Sequence, residues 1–484
     1  MNSSKVEVRA LDEVGEWLET KLGDLADFEM GQAPPGSECN KEGRGTVFVK
    51  AGEFGEFYPV EVEWTTKPLK HGRKGDVFIC VVGATAGKLN LGIDCAIGRS
   101  VAAIRPHDGV DTKFVYYQLM PWVLKLRAGS TGSAQGVISK KQLKEIPFKI
   151  TSLVQQKRIV AEIEKQFSRL DEAVANLKRV KANLKRYKAA VLKAAVEGKL
   201  TEEWRKAHPD VEPASKLLDR ILAKRRAKWE EVELAKMEAK GKTPKNNKWK
   251  AKYKEPIAPS VVDLPELPTG WMWTTLGSLL WGIEAGKSFK CEERPPCEEE
   301  VGVIKVSAVT WGEFDETESK TCRDNTMVKE NLFVRRGDFL FSRANTIELV
   351  GACVIAKDVV RNVMLSDKIL RFGLVGGFNE WALYYLRSMY GRAEIERLAT
   401  GNQDSMRNIG QERIRAIRIP LSPIKERDRI ITEVERNLSL IRETESQVNA
   451  SLKRAERLRQ SILNRAFSVA LEYGAGLAQP MNGG

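Results

Sequence analysis

Two long stretches of the chain carry the same pattern of apolar and polar positions. Residues 152–200 repeat in residues 422–468 at a shift of 271, which pairs Arg158 with Arg429 and Ile159 with Ile430. In both copies apolar residues recur at steps of three and four, with charged residues between them. This periodicity is typical of an α-helix with one apolar face. The sequence therefore predicts two long helices of the same kind.

The two apolar stripes also predict how the helices pair. Each stripe is interrupted once, by Lys181 in the first and by Glu445 in the second. An antiparallel register that sets Lys181 beside Glu445 also sets Val174 beside Leu452, because both copies follow one equivalence. A second interpretation is that both charged side chains reach solvent independently from the edge of the seam. The residues expected to pair the helices are Ile163, Leu170, Val174, Leu177, Lys181, Leu184, Val434, Ile441, Glu445, Val448, Leu452 and Ala455.

The segment before each long helix is repeated as well. Leu22 matches Leu276 at a shift of 254, Asp76 matches Asp338 at 262, and the pair Tyr116-Tyr117 matches a second tyrosine pair at 268. Matches in a common order with steadily growing shifts indicate a duplicated domain. In the first copy the pattern predicts strands over Val47–Val49, Val77–Val82 and Val101–Ile104 and a helix over Thr112–Arg127.

These repeats predict an α+β protein with two tandem α/β domains and long helices that form an antiparallel coiled coil with pseudo-twofold symmetry. The middle of the chain is not repeated: a charged helix is expected over Pro213–Lys240, followed by a basic, proline-containing linker. The expected segments are residues 1–150, the first domain; 151–200, the first long helix; 201–269, the helical spacer and linker; 270–421, the second domain; 422–468, the second long helix; and 469–484, a disordered tail.

The positive charge of the chain is concentrated in one region. Residues 151–260 hold 28 basic and 15 acidic side chains, whereas residues 1–150 hold 20 and 19 and residues 261–421 hold 21 and 23. A polyanion or an acidic partner is one interpretation of this surplus, and a solvated helix face is the other. The seven cysteines form no CxxC, and no apolar run or signal sequence is present, so a cytoplasmic protein with reduced thiols is expected.

The motifs of common active sites are missing from the sequence. Residues 83–88, GATAGK, have three residues between the glycines where a phosphate loop has four, and Leu89 stands in place of the magnesium-binding hydroxyl. A turn after a strand is therefore expected there. The spacing of Cys291, Cys297 and Cys322 fits no zinc pattern, so we expect neither catalytic residues nor a metal in this chain.

Polar, glycine-rich loops occur at equivalent places in the two halves and could contact DNA. They are residues 81–88 and 129–139 in the first half and 342–351 and 400–410 in the second. Their side chains are of the kinds that pair with base edges and phosphates, although ordinary turns have the same composition. The candidates are Thr85, Lys88, Arg99, Ser130, Thr131, Ser133, Gln135, Ser342, Arg343, Asn345, Lys368, Asn402, Gln403, Ser405, Arg407 and Asn408.

Several motifs make the chain resemble the specificity subunit of type I restriction-modification enzymes. They are LPELPTGWMWTTLG at 264–277, GDFLFSRAN at 337–345, the junctions IPFKITSLVQQKRIVAEIE and IPLSPIKERDRIITEVE, and the spacer AAVEGKLTEEWRKAHPDVEPASKLL at 194–218. The resemblance covers nearly the whole chain. The proline-rich junction differs from the family pattern at Lys149–Thr151 and Glu426–Asp428, and residues 1–16 have no counterpart.

The resemblance implies a non-catalytic subunit that recognises double-stranded DNA. Each domain would recognise one half of a bipartite site, and the helices would set the half-site spacing. Two methyltransferase subunits using S-adenosylmethionine for adenine N6 methylation, and two motor-nuclease subunits using ATP and Mg²⁺, would be the partners; no cofactor is implied for this chain. A coiled-coil scaffold with two protein-binding domains has the same repeats and remains the alternative. A free-standing enzyme has no residues in its favour.

Overall fold

The computed structural model of the chain describes residues 17–83, 85–123, 126, 137–241 and 246–468; the side chains of Asn325, Asn402 and Ser468 also lie outside this description. The chain divides into two compact units. The first unit contains residues 1–180 and 447–484, and the second unit contains residues 181–446. Each unit therefore includes parts of both long helices.

The first unit is a mixed domain of short strands and helices. Its strands are β1 Leu18–Lys21, β2 Ala26–Met30, β3 Cys39–Asn40, β4 Thr46–Val49, β5 Trp64–Thr65, β6 His71–Gly72, β7 Val77–Cys80, β8 Leu89–Leu91, β9 Cys95–Ile97, β10 Val101–Pro106 and β11 Pro147–Ile150. Its short helices are α1 Leu22–Leu25, α2 Thr112–Leu119 and α3 Lys140–Lys144. The first long helix, α4, spans Leu153–Val196.

The second unit begins with the spacer and then repeats the plan of the first. The spacer contains α5 Glu202–Ala207 and α6 Ala214–Glu238. The strands that follow are β12 Met272–Thr275, β13 Leu280–Ala285, β14 Val301–Ile304, β15 Ser319–Cys322, β16 Phe339–Ser342, β17 Ala344–Asn345, β18 Cys353–Ile355, β19 Val363–Met364, β20 Ile369–Leu374, β21 Thr400–Gln403, β22 Met406–Asn408 and β23 Arg418–Leu421. The helices are α7 Leu276–Leu279, α8 Asn379–Arg387, α9 Met389–Leu398, α10 Gln411–Arg415 and the second long helix, α11, Ile424–Ser468.

The strand order confirms the duplication. The four-stranded sheet β2-β10-β7-β8 of the first unit corresponds to β13-β20-β16-β18 of the second. In each unit the first and last strands of the domain pair antiparallel, β1 with β11 and β12 with β23. A parallel pair also recurs, β4 with β9 and β14 with β19. Both long helices are likewise observed: the second lies within two residues of its expected limits, and the first ends at Val196, four residues before its expected end.

A partly buried ion pair recurs on the duplicated Gly-Asp motif. In the first unit Arg105 donates to Asp76 from Nε at 2.9 Å and from Nη2 at 2.8 Å. In the second unit Arg371 donates to Asp338 at 2.9 Å. Each aspartate also accepts a backbone N–H three residues upstream, at 2.9 and 2.8 Å, which closes the turn before the central strand. The motif found in the sequence thus fixes the start of β7 and β16.

Both long helices contribute to the core of each unit. In the first unit Val160, Ile163 and Phe167 of α4 pack in one cluster with Leu463 of α11. In the second unit Leu192 and its neighbours on α4 pack in one cluster with residues of α11, among them Ile430 and Val434. Leu192 and Leu463 are equivalent positions of the repeat. The expected apolar stripes therefore bury against the domains as well as against each other.

Cross-helix contacts show an antiparallel pairing within each unit. In the first unit the Arg459 guanidinium lies 4.5 Å from the ring centroid of Phe167 and also pairs with Asp171. In the second unit the Tyr187 hydroxyl donates to Asn437 Oδ1 at 2.8 Å. An early part of one helix thus meets a late part of the other. Continued by seven residues along each helix from Phe167 and Arg459, this register would bring Val174 beside Leu452, which stays a prediction of the sequence.

The helix expected over Thr112–Arg127 is only partly confirmed. Helix α2 ends at Leu119 and a turn follows at Met120 and Pro121, because proline lacks the N–H that would continue the helical bonding. Trp122, Val123 and Leu126 are helical again, and residues 124, 125 and 127 lie outside the described residues. Part of the expected basic linker packs against the spacer. Its residues 247–252 form a short 3₁₀ helix, and Trp249 stacks on Trp229 of α6 with ring centroids 5.9 Å apart.

Candidate nucleic-acid interface

The second unit brings its two candidate loops together in one small polar sheet. Strand β22 pairs antiparallel with β17, so that Ala344 lies opposite Asn408 and Asn345 opposite Arg407. Strand β21 pairs with the other edge of β22. The backbone N–H of Ile409 also donates to the Arg343 carbonyl at 2.9 Å. Two loops that are about sixty residues apart in sequence therefore form one surface.

The first unit joins its equivalent loops in the same way. The backbone N–H of Ile138 donates to the Val81 carbonyl at 2.8 Å, and Val82 and Val137 form an isolated antiparallel bridge. The tip of the second loop, with the candidates Ser130, Thr131, Ser133 and Gln135, lies outside the described residues. The pairing of loops is therefore a property of the duplicated domain.

A third segment contributes to the surface in each unit. It is the turn before β10 in the first unit and the turn before β20 in the second. The Val81 N–H donates to the Ser100 carbonyl at 2.9 Å, and the Arg343 N–H donates to the Lys368 carbonyl at the same distance. This contact places the candidate Lys368 beside the polar sheet of the second unit. It places Arg99 next to the equivalent contact of the first, and both side chains are exposed.

A fourth segment was missed in the sequence. It follows β2 and β13, where Gly31 and Gly286 donate backbone hydrogen bonds to Val101 and Ser366 at 2.9 and 3.2 Å. A Cβ at Gly286 would lie 1.8 Å from the Leu365 carbonyl oxygen, and one at Gly31 would lie 2.2 Å from that of Gly98, so only glycine fits. Gly31 and Gly286 match at a shift of 255, and this match could have identified the segment from the sequence.

The polar side chains on the second unit's sheet are partly held by the chain itself. Arg343 Nε donates to Asn408 Oδ1 at 3.4 Å, and Arg407 Nη1 donates to the Gly401 carbonyl. The Nε atom of Arg407 is buried without an acceptor. Asn345 Oδ1 accepts the backbone N–H of Thr346 at 2.9 Å. The surface thus offers positioned donors and acceptors, with the exposed amide of Asn408 at its edge.

Other candidates differ in their access to solvent. Gln403 and Ser405 are exposed on the β21–β22 hairpin, whereas the side chain of Asn402 lies outside the described residues. Ser342, a candidate from the sequence, is 0% exposed at the end of β16. Its hydroxyl is therefore not available to a ligand, contrary to that prediction. It faces inward because it continues the fully buried strand Phe339–Ser342.

Gly83 and residues 85–88 lie in a turn between two strands, as expected; residue 84 lies outside the described residues. Gly87 donates to the Cys80 carbonyl at 2.7 Å, and Ala86 donates to that of Gly83 at 3.0 Å. The chain continues into β8 and not into the helix that a phosphate loop requires. Thr85 is exposed, and Lys88 donates from Nζ to the Phe54 carbonyl at 2.6 Å. Lys88 therefore supports a neighbouring loop through its ammonium group.

Acidic side chains accompany the basic ones in the second unit. Hydrogen bonds from its own backbone N–H and from the Thr346 side chain lower the pKa of Glu348, so this carboxylate is charged at neutral pH. Asp367 accepts a hydrogen bond from Ser288 beside Lys368. The surface is mixed in charge and rich in hydrogen-bonding groups, which suits selective recognition of base edges more than simple attraction of phosphate.

The described residues contain no group of three or more His, Cys, Asp and Glu side chains arranged to hold a metal ion. Within those same ranges, no helix is long and apolar enough to cross a membrane.

Most of the residues expected to pair the helices lie on buried or half-buried positions. Ile163, Leu170, Val434, Ile441, Val448 and Ala455 are each at most 9% exposed. Val174, Leu177, Leu184, Glu445 and Leu452 are half-buried, and Lys181 is exposed. The charged pair Lys181 and Glu445 therefore lies at the edge of the seam, in a position compatible with either interpretation.

Sequence comparison identifies relatives of one kind. Residues 15–186 match the family model described as the type I restriction modification DNA specificity domain. The type I restriction enzyme EcoEI specificity subunit of Escherichia coli is 27% identical over 63% of this chain, and the match spans 49% of its own length, about half. The EcoKI specificity subunit of Escherichia coli K12 is 24% identical over 87% of this chain and 77% of its own length.

A solved structure shows the same fold over almost the whole chain. It comes from work on complex assembly and conformational transition of the type I R-M system, and it covers 94% of this chain and 98% of its own with a TM-score of 0.60 at 16% identity. The duplicated domains, the two long helices and the family match agree. In sequence, the chain is therefore similar to the specificity subunits of type I restriction enzymes.

Proposed function

We propose that this chain recognises a bipartite DNA sequence, with each duplicated domain reading one half-site. The observation that supports this most directly is the repeated pairing of two distant polar loops, through the Ile138–Val81 and Ile409–Arg343 hydrogen bonds. A scaffold does not need the same pair of loops on both domains. Two readers of the same design need them, because each must present side chains to the grooves of a duplex.

In the second domain the proposed contacts divide by chemistry. The amides of Asn408 and Gln403 suit adenine, to which Asn and Gln can bond through both N6 and N7, and the guanidinium of Arg343 suits guanine. Exposed Lys368 and Ser405 suit phosphate oxygens. Arg407 is held by the Gly401 carbonyl and would stiffen the hairpin. In the first domain the exposed described candidates are Thr85, Arg99 and Lys88, and the ammonium group of Lys88 is held by the Phe54 carbonyl.

The long helices would set the distance between half-sites and dock the partner subunits. We propose two methyltransferase subunits and two motor-nuclease subunits, which would bind S-adenosylmethionine, ATP and Mg²⁺. This chain would supply recognition only. Purified free of partners, it should therefore transfer no methyl group from labelled S-adenosylmethionine to DNA, and transfer by the chain alone would contradict the assignment.

Selection from a pool of random duplexes tests the recognition itself. The full chain, with its partner subunits where they co-purify, should enrich a discontinuous motif whose halves lie about one duplex turn, roughly 34 Å, apart. The double variant Arg343→Ala with Asn408→Ala should relax one half of the motif and leave the other unchanged. Retention of DNA without any motif would favour the scaffold alternative.

A further inference from the structure

The two reading domains carry almost no net positive charge with which to attract DNA. Residues 1–150 carry 20 basic and 19 acidic side chains, and residues 261–421 carry 21 and 23. Contacts with phosphates supply nearly all of non-specific binding and a large share of specific binding. Residues 151–260 hold 28 basic and 15 acidic side chains, so this region is the candidate for the phosphate contacts.

A long basic stretch without acidic residues lies on α4. Residues 173–196 contain seven basic side chains and no acidic one. The equivalent residues of α11, 444–467, contain five basic and two acidic ones. At 1.5 Å per residue the acid-free stretch is about 36 Å long, close to the roughly 34 Å of one duplex turn.

The charges on this stretch form a row. Arg179, Arg186 and Lys193 follow one another at intervals of seven, so they lie along one side of the helix about 10.5 Å apart. Lys185 stands next to this row, and all four side chains are exposed. In the described chain neither Lys185 nor Arg186 forms an ion pair, and Lys193 has only a 3.8 Å contact with Glu197.

Lys188 lies on the same stretch but is half-buried, so it does not belong to the exposed row. Burial, with the nearby Arg387, lowers the pKa of this half-buried lysine, and Arg442 of α11 acts in the same direction. Its ammonium group faces other protein charges, whereas the row faces solvent.

We propose that the exposed basic row of α4 binds the phosphate backbone of duplex DNA without regard to sequence. The inference rests on the proposed function, since it assumes that the chain binds DNA. Exposed lysines and arginines that form no close ion pair can follow a charged backbone at little cost in desolvation. Arg179 donates only to the neutral side chain of Asn176. An acidic protein surface is the other polyanion that could lie there, and the experiment below distinguishes the two.

The duplication supplies a variant that should keep the fold. Equivalents of Arg179, Lys185 and Lys193 on α11 are Ala450, Glu456 and Asn464, and these three are also exposed. The triple variant Arg179→Ala, Lys185→Glu, Lys193→Asn therefore introduces residues that the same helix position already accepts. A matched control makes the same charge change on exposed residues of the second domain: Arg336→Ala, Lys329→Glu, Lys357→Asn.

Binding of the full chain to a duplex lacking the motif, and to one carrying it, is measured as a function of salt. The helix variant should reduce the slope of log K against log salt by about 2 to 3, at about 0.9 for each lost phosphate contact. Affinity should fall by the same factor on both duplexes, which leaves the specificity ratio unchanged. The control variant should keep the wild-type slope.

Equal slopes for the helix variant and the wild type would overturn the inference, and so would equal losses in both variants. Unchanged DNA binding with loss of a co-purifying subunit would assign the row to an acidic protein partner instead. Failure of the wild-type chain to enrich any motif counts against the proposed function. Enrichment with an unchanged slope counts against the helix row alone.

Discussion

At the scale of single residues, one buried carboxylate joins three parts of the second unit. Glu426, in the first turn of α11, accepts hydrogen bonds from Thr201 Oγ1 at 2.7 Å, Arg205 Nη1 at 2.5 Å and Trp271 Nε1 at 2.8 Å. It is 1% exposed. The Glu426 carboxylate thus links the spacer, the segment before β12 and the start of α11.

Replacing this carboxylate should destabilise the second unit. Glu426→Gln leaves the Arg205 guanidinium without its counter-charge, and we expect a loss of about 1.5–3 kcal/mol in the free energy of unfolding. Urea denaturation followed by tryptophan fluorescence measures it. Glu203→Gln, at an exposed ion pair with Lys206, is the control and should cost less than about 0.5 kcal/mol. Equal effects would mean that the network does not stabilise the unit.

The charged pair of the helix seam permits a second residue-scale test. Lys181→Glu and Glu445→Lys should each destabilise the chain, and the double exchange should recover more than the sum of the single changes predicts. Glu445 also acts on Lys188, whose pKa is lowered mainly by burial and then by Arg387. If Lys188 is the real partner of Glu445, Lys181→Glu alone will leave the midpoint of thermal unfolding unchanged.

At the scale of elements, each long helix is anchored at both ends. The first unit holds Ile163 of α4 and Leu463 of α11 in one core, and the second unit holds Leu192 and Val434 in one core. The anchors are more than twenty residues apart on each helix. A change in the length between them should therefore be transmitted to the domains.

Removing one helical turn from the middle of both helices should change the spacing in the DNA site. Four residues correspond to about 6 Å, or roughly two base pairs. The methylated motif of a host strain carrying the shortened protein should keep both half-sites and lose one or two intervening base pairs. Loss of half-site recognition instead would show that the helices act on the reading surfaces themselves. A four-residue insertion at the same places should lengthen the spacer.

At the scale of the whole molecule, the duplication predicts independent readers. Each domain has its own sheets, its own partly buried Asp–Arg pair and its own junction with the long helices. Replacing residues 17–150 with the first domain of a type I specificity subunit should therefore change one half of the methylated motif only. Sequencing of methylated sites in the host genome measures this. A simultaneous change in both halves would show that the domains do not read independently.

Much of this architecture can be predicted from the sequence. Periodicity predicts the long helices, because a helix buries one face at intervals that any reader of the sequence can count. Matches at growing shifts predict the duplicated domains, and Gly75 and Gly337, both with positive φ, mark equivalent turns. The same pattern predicts the antiparallel seam, since the register that sets Lys181 beside Glu445 also sets Val174 beside Leu452.

Only the tertiary structure determined which loops meet and which side chains remain accessible. Pairing of Ala344 with Asn408 depends on backbone hydrogen bonds between distant strands, and these leave no periodic signal in the sequence. Ser342 reads as a polar loop residue, yet the sheet buries it because it ends a fully buried strand. The sequence identifies the linker only as a basic, proline-containing segment, whereas in the structure ring stacking of Trp249 on Trp229 holds it to the spacer helix. Local pattern determined the elements of this protein, and long-range contacts determined the surface that they form.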